Sequence, residues 1–344
     1  MHITEGIITG TPAVLYTAAG IALVGYGTTK MKKFVAQFPE KRPLLGMAGA
    51  LIFFISLLPI PAFTGTCSHP CGTPFIAILF GPAIAIALTG GSLLLQAAFF
   101  AHGGFGTWGA NTVALGFFGC LAGWTAFSLS RKMGFPLLAA GFAGGLVGDV
   151  AVYGASGLIL AGQLAHAPTP QYSFSGYLTV IFAAYLPTQL PIAIGEMVIT
   201  GLALHYIHRQ RPEVLVDLGL IKYGLAPSGN SFKTGSLSLV FLTTLLIMAG
   251  DRSFAANEQV LPARKDNYSQ KQLGKTINSF TGMDEAVNEK LAENAGLKPK
   301  EPLINTESMG DLWNALLLIA GGVCGFVFGR WWHLITRREG LKNH

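Results

Sequence analysis

Long apolar runs separated by short polar breaks set the frame of this chain. A helix needs roughly 20 apolar residues to cross about 30 Å of hydrocarbon. On that measure seven spans are predicted in the first part of the chain: about Thr11 to Thr29, Leu44 to Phe63, Pro74 to Leu88, a fourth ending near Ala101, then Thr112 to Arg131, Pro136 to Gln163 and Tyr177 to Tyr206. The break between the third and fourth is placed at Thr89-Gly90-Gly91-Ser92. Two further runs, about Gly235 to Ala249 and Asp311 to Gly329, flank a polar stretch from Asp251 to Gly310. The expected fold is an all-α polytopic membrane protein, a seven-helix bundle over residues 1–211 followed by a linker at 212–234 and a two-helix hairpin at 235–344 with its loop at 251–310.

The placement of charge orients these spans. Lys30, Lys32, Lys33, Lys41 and Arg42 follow the first run, Arg131 and Lys132 follow the fifth, and Arg209 and Arg211 follow the seventh. Each cluster falls after an odd number of crossings, so the positive-inside rule puts the N-terminus outside and the C-terminus in the cytoplasm. Of 344 residues 51% are hydrophobic and only 12% charged, against about a quarter charged in soluble domains. The net charge of +6 therefore belongs to cytoplasmic loops, and nucleic acid is not an expected partner. Membrane lipid is. Residues 1–10 contain Glu5 and no Lys or Arg, unlike the basic start of a secretory signal, so Met1 is expected to stay in the mature chain.

Against that topology, Met1-His2-Ile3 and Thr66-Cys67-Ser68-His69-Pro70 fall on the same outer side. A free Met1 amine, the His2 amide nitrogen and His2 Nδ1 close two fused chelate rings around one metal, and an imidazole such as His69 fills the remaining place in the plane. Four nitrogens in a plane suit Ni(II), Cu(II) or low-spin Co(II). His69 is alternatively an ordinary loop histidine. Cys67, His69 and Cys71 form a competing set that would favour Zn(II) or Cu(I). The two thiols are otherwise small packing groups or a disulfide pair. His102 and Asn111 bracket a glycine-rich turn that is either purely structural or supports a ligand histidine. Asp149 and Glu196 are carboxylates within apolar spans, read as hydrogen-bonded packing or partner contacts in preference to a cation pathway. Neither a P-loop nor an H-E-x-x-H motif occurs, so no enzyme is expected and energy must come from a partner.

Four ordered motifs then bring in a family. Met1-His2-Ile3-x-Glu5-Gly6, Cys67-Ser68-His69-Pro70-x-Gly72-Thr73, Ala101-His102-Gly103-Gly104-x-x-Thr107-x-Gly109-Ala110-Asn111 and Gln189-x-Pro191-x-Ala193-x-x-Glu196 resemble CbiM/NikM. That family comprises the substrate-binding membrane components of cobalt and nickel energy-coupling factor transporters, which are ABC-type importers. Residues 235–330 resemble the companion CbiN/NikN in architecture. The resemblance implies that Met1, His2 and His69 bind the metal, with His102, Asn111 and Ser68 in support; Gln189 and Glu196, like Asp149 above, are expected in structural or partner contacts. It implies a CbiQ/NikQ-like coupling subunit, CbiO/NikO-like ATPases and a prokaryotic inner-membrane location. The transported substrate is Co²⁺ or Ni²⁺, and no organic cofactor is implied. The Cys-Ser-His-Pro form of the loop resembles the cobalt members, which points to cobalt and cobalamin biosynthesis.

Overall fold

The computed structural model describes residues 2–56, 60–61, 67–100, 102–221 and 283–298. The chain begins with an irregular segment leading into α1 (Gly10–Gln37) and α2 (Arg42–Ile55). A minimal antiparallel ladder follows, β1 (Ile60–Pro61) and β2 (Cys67–Ser68), which pairs Ile60 with Ser68. Then come α3 (Thr73–Phe80), α4 (Pro82–Phe99) and α5 (Trp108–Asn111). A π-helical stretch over Thr112–Gly119 carries α5 into α6 (Cys120–Lys132), and α7 (Leu137–Ala165), α8 (Phe174–Gln210) and α9 (Pro212–Asp217) complete the body. A separate helix, α10 (Met283–Asn294), returns to it. The expected all-helical membrane architecture is present. Among the described residues, Pro82–Phe99, Trp108–Lys132, Leu137–Ala165 and Phe174–Gln210 are long and apolar enough to cross a bilayer.

The break expected at Thr89-Gly90-Gly91-Ser92 is absent, because α4 runs straight through those residues. The chain breaks instead at Gly81, whose φ of +81° suits a residue without Cβ, and Pro82, which has no N–H to extend the preceding helix. α3 is consequently only 8 residues long, about 12 Å at 1.5 Å per residue. Thr73 through Leu79 are all buried, so this half-helix lies inside the bundle, where protein rather than lipid surrounds its ends. Its N-terminus emerges directly from the His69 loop.

Other boundaries follow from local chemistry. α8 spans 37 residues and continues past Pro187 and Pro191, which the sequence marks as a bending element. α7 and α8 pack closely through the small residues Gly141, Gly145 and Gly201. The first residues of the expected linker form α9, with Leu215 fully buried and Asp217 3.8 Å from Lys41. Of the expected hairpin, only residues 283–298 are described; the two spans at 235–249 and 311–329 lie outside the described residues.

Two apolar cores organise the bundle. One gathers Ile76, Ile78, Ile86, Phe127 and Leu204 around α3. The other joins Ile3, Ile7 and Ile8 of the N-terminal segment to Tyr153, Tyr177 and Tyr185. Burying an isoleucine contributes roughly 1.5–3 kcal/mol. Three of them fix the start of the chain to the body, and this is the packing that delivers His2 to its place.

Candidate metal centre

The N-terminal segment lies against the glycine-rich turn that precedes α5. Asn111, buried at the end of α5, accepts from the Ile3 N–H at 2.8 Å and donates to the Ile3 carbonyl at 3.1 Å. Its carboxamide thus acts as a strand partner one residue beyond His2. Glu5 makes the second attachment, accepting from the Gly106 N–H at 2.7 Å. The turn has no side chain where Glu5 enters: a Cβ on Gly104 would sit 2.0 Å from Glu5 Oε2. With these two fixings His2 is only 1% exposed, and among the described residues neither of its ring nitrogens has a hydrogen-bond partner. A buried imidazole left unpaired on both nitrogens forgoes interactions that buried polar groups nearly always find.

His69 arrives from the opposite side on the loop between β2 and α3. Its Nδ1 lies 3.1 Å from the Pro70 carbonyl, which can only accept, so the neutral ring carries its proton on Nδ1 and presents a lone pair on Nε2. That Nε2 lies 3.2 Å from His102 Nε2. The ring centroids of His2 and His69 are 5.1 Å apart, and those of His2 and His102 are 4.1 Å apart. One ligand atom from each of the three histidines can be chosen so that all lie within 4.8 Å of one another. Burial holds the His2 ring well below its usual pKa, with His102 adding to the effect, and burial also lowers His69. Both rings are therefore neutral near pH 7, the form that binds a metal.

The loop is anchored from behind by α8. Glu196 accepts from the Cys71 N–H at 3.0 Å and from the Gly72 N–H at 3.0 and 3.2 Å through its two carboxylate oxygens. Cys71 is fully buried. Gln189, one helical stretch before Glu196, is buried on α8. Glu196 on α8 thus holds the backbone of the residues that follow His69, and Asp149 is buried on the neighbouring α7.

Of the residues singled out in the sequence, His2, His69, His102 and Asn111 converge on one place. Met1 and the side chains of Cys67 and Ser68 lie outside the described residues. Sequence reasoning did not anticipate the Glu5 seat, although the paired glycines at 103 and 104 followed by Gly106 were its signal. Nor did it anticipate that His102 would touch Nε2 of His69. Spacing alone does not fix the direction in which a ring points.

This N-terminal histidine seated against a loop histidine can be compared with known proteins. The sequence pattern of CbiM, described as "Cobalt uptake substrate-specific transmembrane region", matches residues 2–214. The chain belongs to the CbiM family. A cobalt transport protein CbiM from Geobacter sulfurreducens is 36% identical over 347 residues, covering 100% of this chain and 92% of that relative. A CbiM from Sorangium cellulosum is 36% identical over 231 residues, which is 67% of this chain and 100% of that relative. A solved truncated transition metal transporter superposes with a TM-score of 0.52 at 26% identity, covering 61% of this chain and 99% of that one. CbiM relatives thus occur both with and without a counterpart to the last third of this chain.

Proposed function

We propose that this chain is the substrate-binding membrane subunit of an ATP-driven importer for a divalent transition metal, cobalt in preference to nickel. The observation that carries this reading is His2: fully enclosed, with neither ring nitrogen hydrogen-bonded among the described residues, and with its ring centroid 5.1 Å from that of His69. In this reading the Met1 amine, the His2 amide and ring nitrogens and His69 Nε2 hold the metal at the outer face. Amide deprotonation on binding makes capture pH-dependent. A CbiQ/NikQ-like coupling subunit and CbiO/NikO-like ATPases in a prokaryotic inner membrane supply the energy, and imported cobalt serves cobalamin synthesis. The N-terminus lies outside and the C-terminus in the cytoplasm, in agreement with the lysine and arginine clusters. Residues 235–344 form the CbiN/NikN-like part, which accords with a relative that matches the whole chain and another that is complete without that part.

A zinc-thiolate enzyme or sensor built on Cys67, His69 and Cys71 has less support. The described imidazoles of His2, His69 and His102 favour the nitrogen-based reading, and the Cys67 side chain lies outside the described residues. The test is uptake of labelled cobalt in cells that also express the partner subunits. Extending the N-terminus by one residue, or His2→Ala, is expected to abolish uptake while membrane insertion is kept; normal uptake in both would sink the chelate. Metal content of the purified chain after exposure to both ions together decides between cobalt and nickel.

A further inference from the structure

The position of His102 does not fit a residue that merely supports the ligands. A histidine bound to a metal through one ring nitrogen takes its outer support on the other nitrogen. On His69 that other nitrogen, Nδ1, is already satisfied by the Pro70 carbonyl at 3.1 Å. His102 instead meets His69 on Nε2, the side from which a metal would be held, and its ring stacks edge-on to His2 with centroids 4.1 Å apart. Two nitrogens each roughly 2.0–2.1 Å from one metal ion lie about 3.2 Å apart when they subtend about 100° at it. The observed separation of the two Nε2 atoms is 3.2 Å. The pair has the spacing of neighbouring ligands before any ion arrives.

Building on the site proposed above, we propose that His102 is itself a metal ligand, taking the position above the plane of the N-terminal chelate, and that it sets which ion the site retains. Without metal, His102 Nε2–H donates to the His69 lone pair and holds both rings in register. When an ion enters between them, that hydrogen bond is exchanged for two metal–nitrogen bonds. His102 shifts its proton to Nδ1 through solvent, since it is the partly exposed member of the three. No net charge is moved in that exchange.

The consequence for selectivity comes from geometry. A plane of four nitrogens satisfies low-spin Ni(II), which gains little from a fifth ligand on the axis. Low-spin Co(II), with one electron directed along that axis, binds an axial nitrogen readily. An imposed axial imidazole therefore favours cobalt, and removing it returns the site to the square-planar preference that favours nickel.

The experiment uses the purified full chain loaded with CoCl₂ without oxygen, and X-ray absorption at the cobalt edge to count bound imidazoles. Three are expected in the wild type and two in His102→Ala, and added free imidazole should restore the wild-type spectrum of the variant. In competition between CoCl₂ and NiCl₂, the cobalt-to-nickel ratio retained should fall about tenfold in His102→Ala. A wild-type count of two imidazoles overturns the proposal without reference to any variant, as does an unchanged spectrum in a folded His102→Ala protein. A wild type that retains neither ion removes the underlying site reading instead.

Discussion

Asn111 holds Ile3 by both of its backbone groups, at 2.8 Å and 3.1 Å, and this pair sets the reach of the N-terminus. The bonds fix the chain one residue after His2, so small changes there become rotations of the imidazole. Asn111→Leu keeps the volume but leaves a buried N–H and a buried C=O without partners, each costing roughly 1–3 kcal/mol. The expected result is a metal affinity lowered about 10- to 100-fold with insertion unchanged, measured by equilibrium dialysis with cobalt. Asn111→Asp keeps the acceptor and loses the donor, and should fall between wild type and Asn111→Leu.

Glu5 and Gly104 make a steric prediction that does not depend on any metal. A methyl group at residue 104 would meet Glu5 Oε2 at 2.0 Å, which no side-chain adjustment of a tenth of an ångström relieves. Gly104→Ala should displace the N-terminal segment and expose residues 2–8 to faster backbone hydrogen exchange. Glu5→Gly in the same chain removes the whole side chain, including the Cβ that would lie 2.5 Å from the new methyl group, so the double variant should recover part of the protection that the single one loses. Additive loss in the double variant would show that the two residues are not in contact.

On the other side of the site, Glu196 joins α8 to the loop that carries His69. Glu196→Ala leaves the Cys71 and Gly72 N–H groups without their acceptor in a buried setting, a destabilisation of roughly 1–3 kcal/mol per group. Glu196→Gln keeps one oxygen but turns an NH₂ toward an N–H donor, so its effect should be smaller and still measurable. The readout is thermal inactivation in detergent alongside cobalt affinity; wild-type values for both in Glu196→Ala would remove this residue from the loop's support.

Much of this arrangement was legible in the sequence because it rests on pattern. Apolar length gave a polytopic membrane protein, and three of the four motifs contain the histidines and the Asn111 that the fold brings together. The helix break was misplaced for a physical reason. Gly90 and Gly91 resemble a turn, but inside α4 Gly90 leaves room for Val24, whose Cγ2 a Cβ there would meet at 2.4 Å, and the Gly90 carbonyl accepts from Trp108 Nε1 at 2.9 Å. The true break at Gly81-Pro82 lies within a continuous apolar run that hydropathy reads as one span. The face of His69 that meets His102 depends on the Pro70 carbonyl, a backbone contact with no sequence signal.

The depressed titration of His2 and His69 gives a stability prediction whose sign is fixed. Both rings are favoured in the neutral form when folded, because burial resists protonation. An unfolded-chain histidine takes up its proton below about pH 6.5. Below that value the unfolded state binds protons that the folded state does not, so stability falls as the pH falls and is fully present above it. The metal-free protein should lose thermal stability between pH 7 and pH 5, and a His2→Asn, His69→Asn double variant should lose less over the same range. A double variant with the wild-type pH slope would assign the loss to other groups.

The last prediction concerns α10, which touches α7, α8 and β2 at the end of the bundle that holds His69. Tyr185 donates to Asn288 Oδ1, and the Ala295 carbonyl accepts from the Thr169 N–H at 3.0 Å. Ala292 and Ala295 are fully buried in the same core as Ile3 and Ile7, so this helix and the N-terminal segment share packing. Its sequence is a weak signal, since Met283–Asn294 is mostly polar, with Val287, Leu291 and Ala292 among its apolar residues packing into the core. Asn288→Ala leaves the buried Tyr185 hydroxyl without this acceptor, while Tyr185→Phe removes the hydroxyl and leaves Asn288 short of a donor. Either change should loosen α10 by roughly 1–3 kcal/mol. Hydrogen exchange of residues 287–298 should rise in both variants, with residues 2–8 following to a smaller extent because the core is shared. Exchange that rises in α10 alone would mean that the N-terminus is held by Asn111 and Glu5 without help from the docked helix.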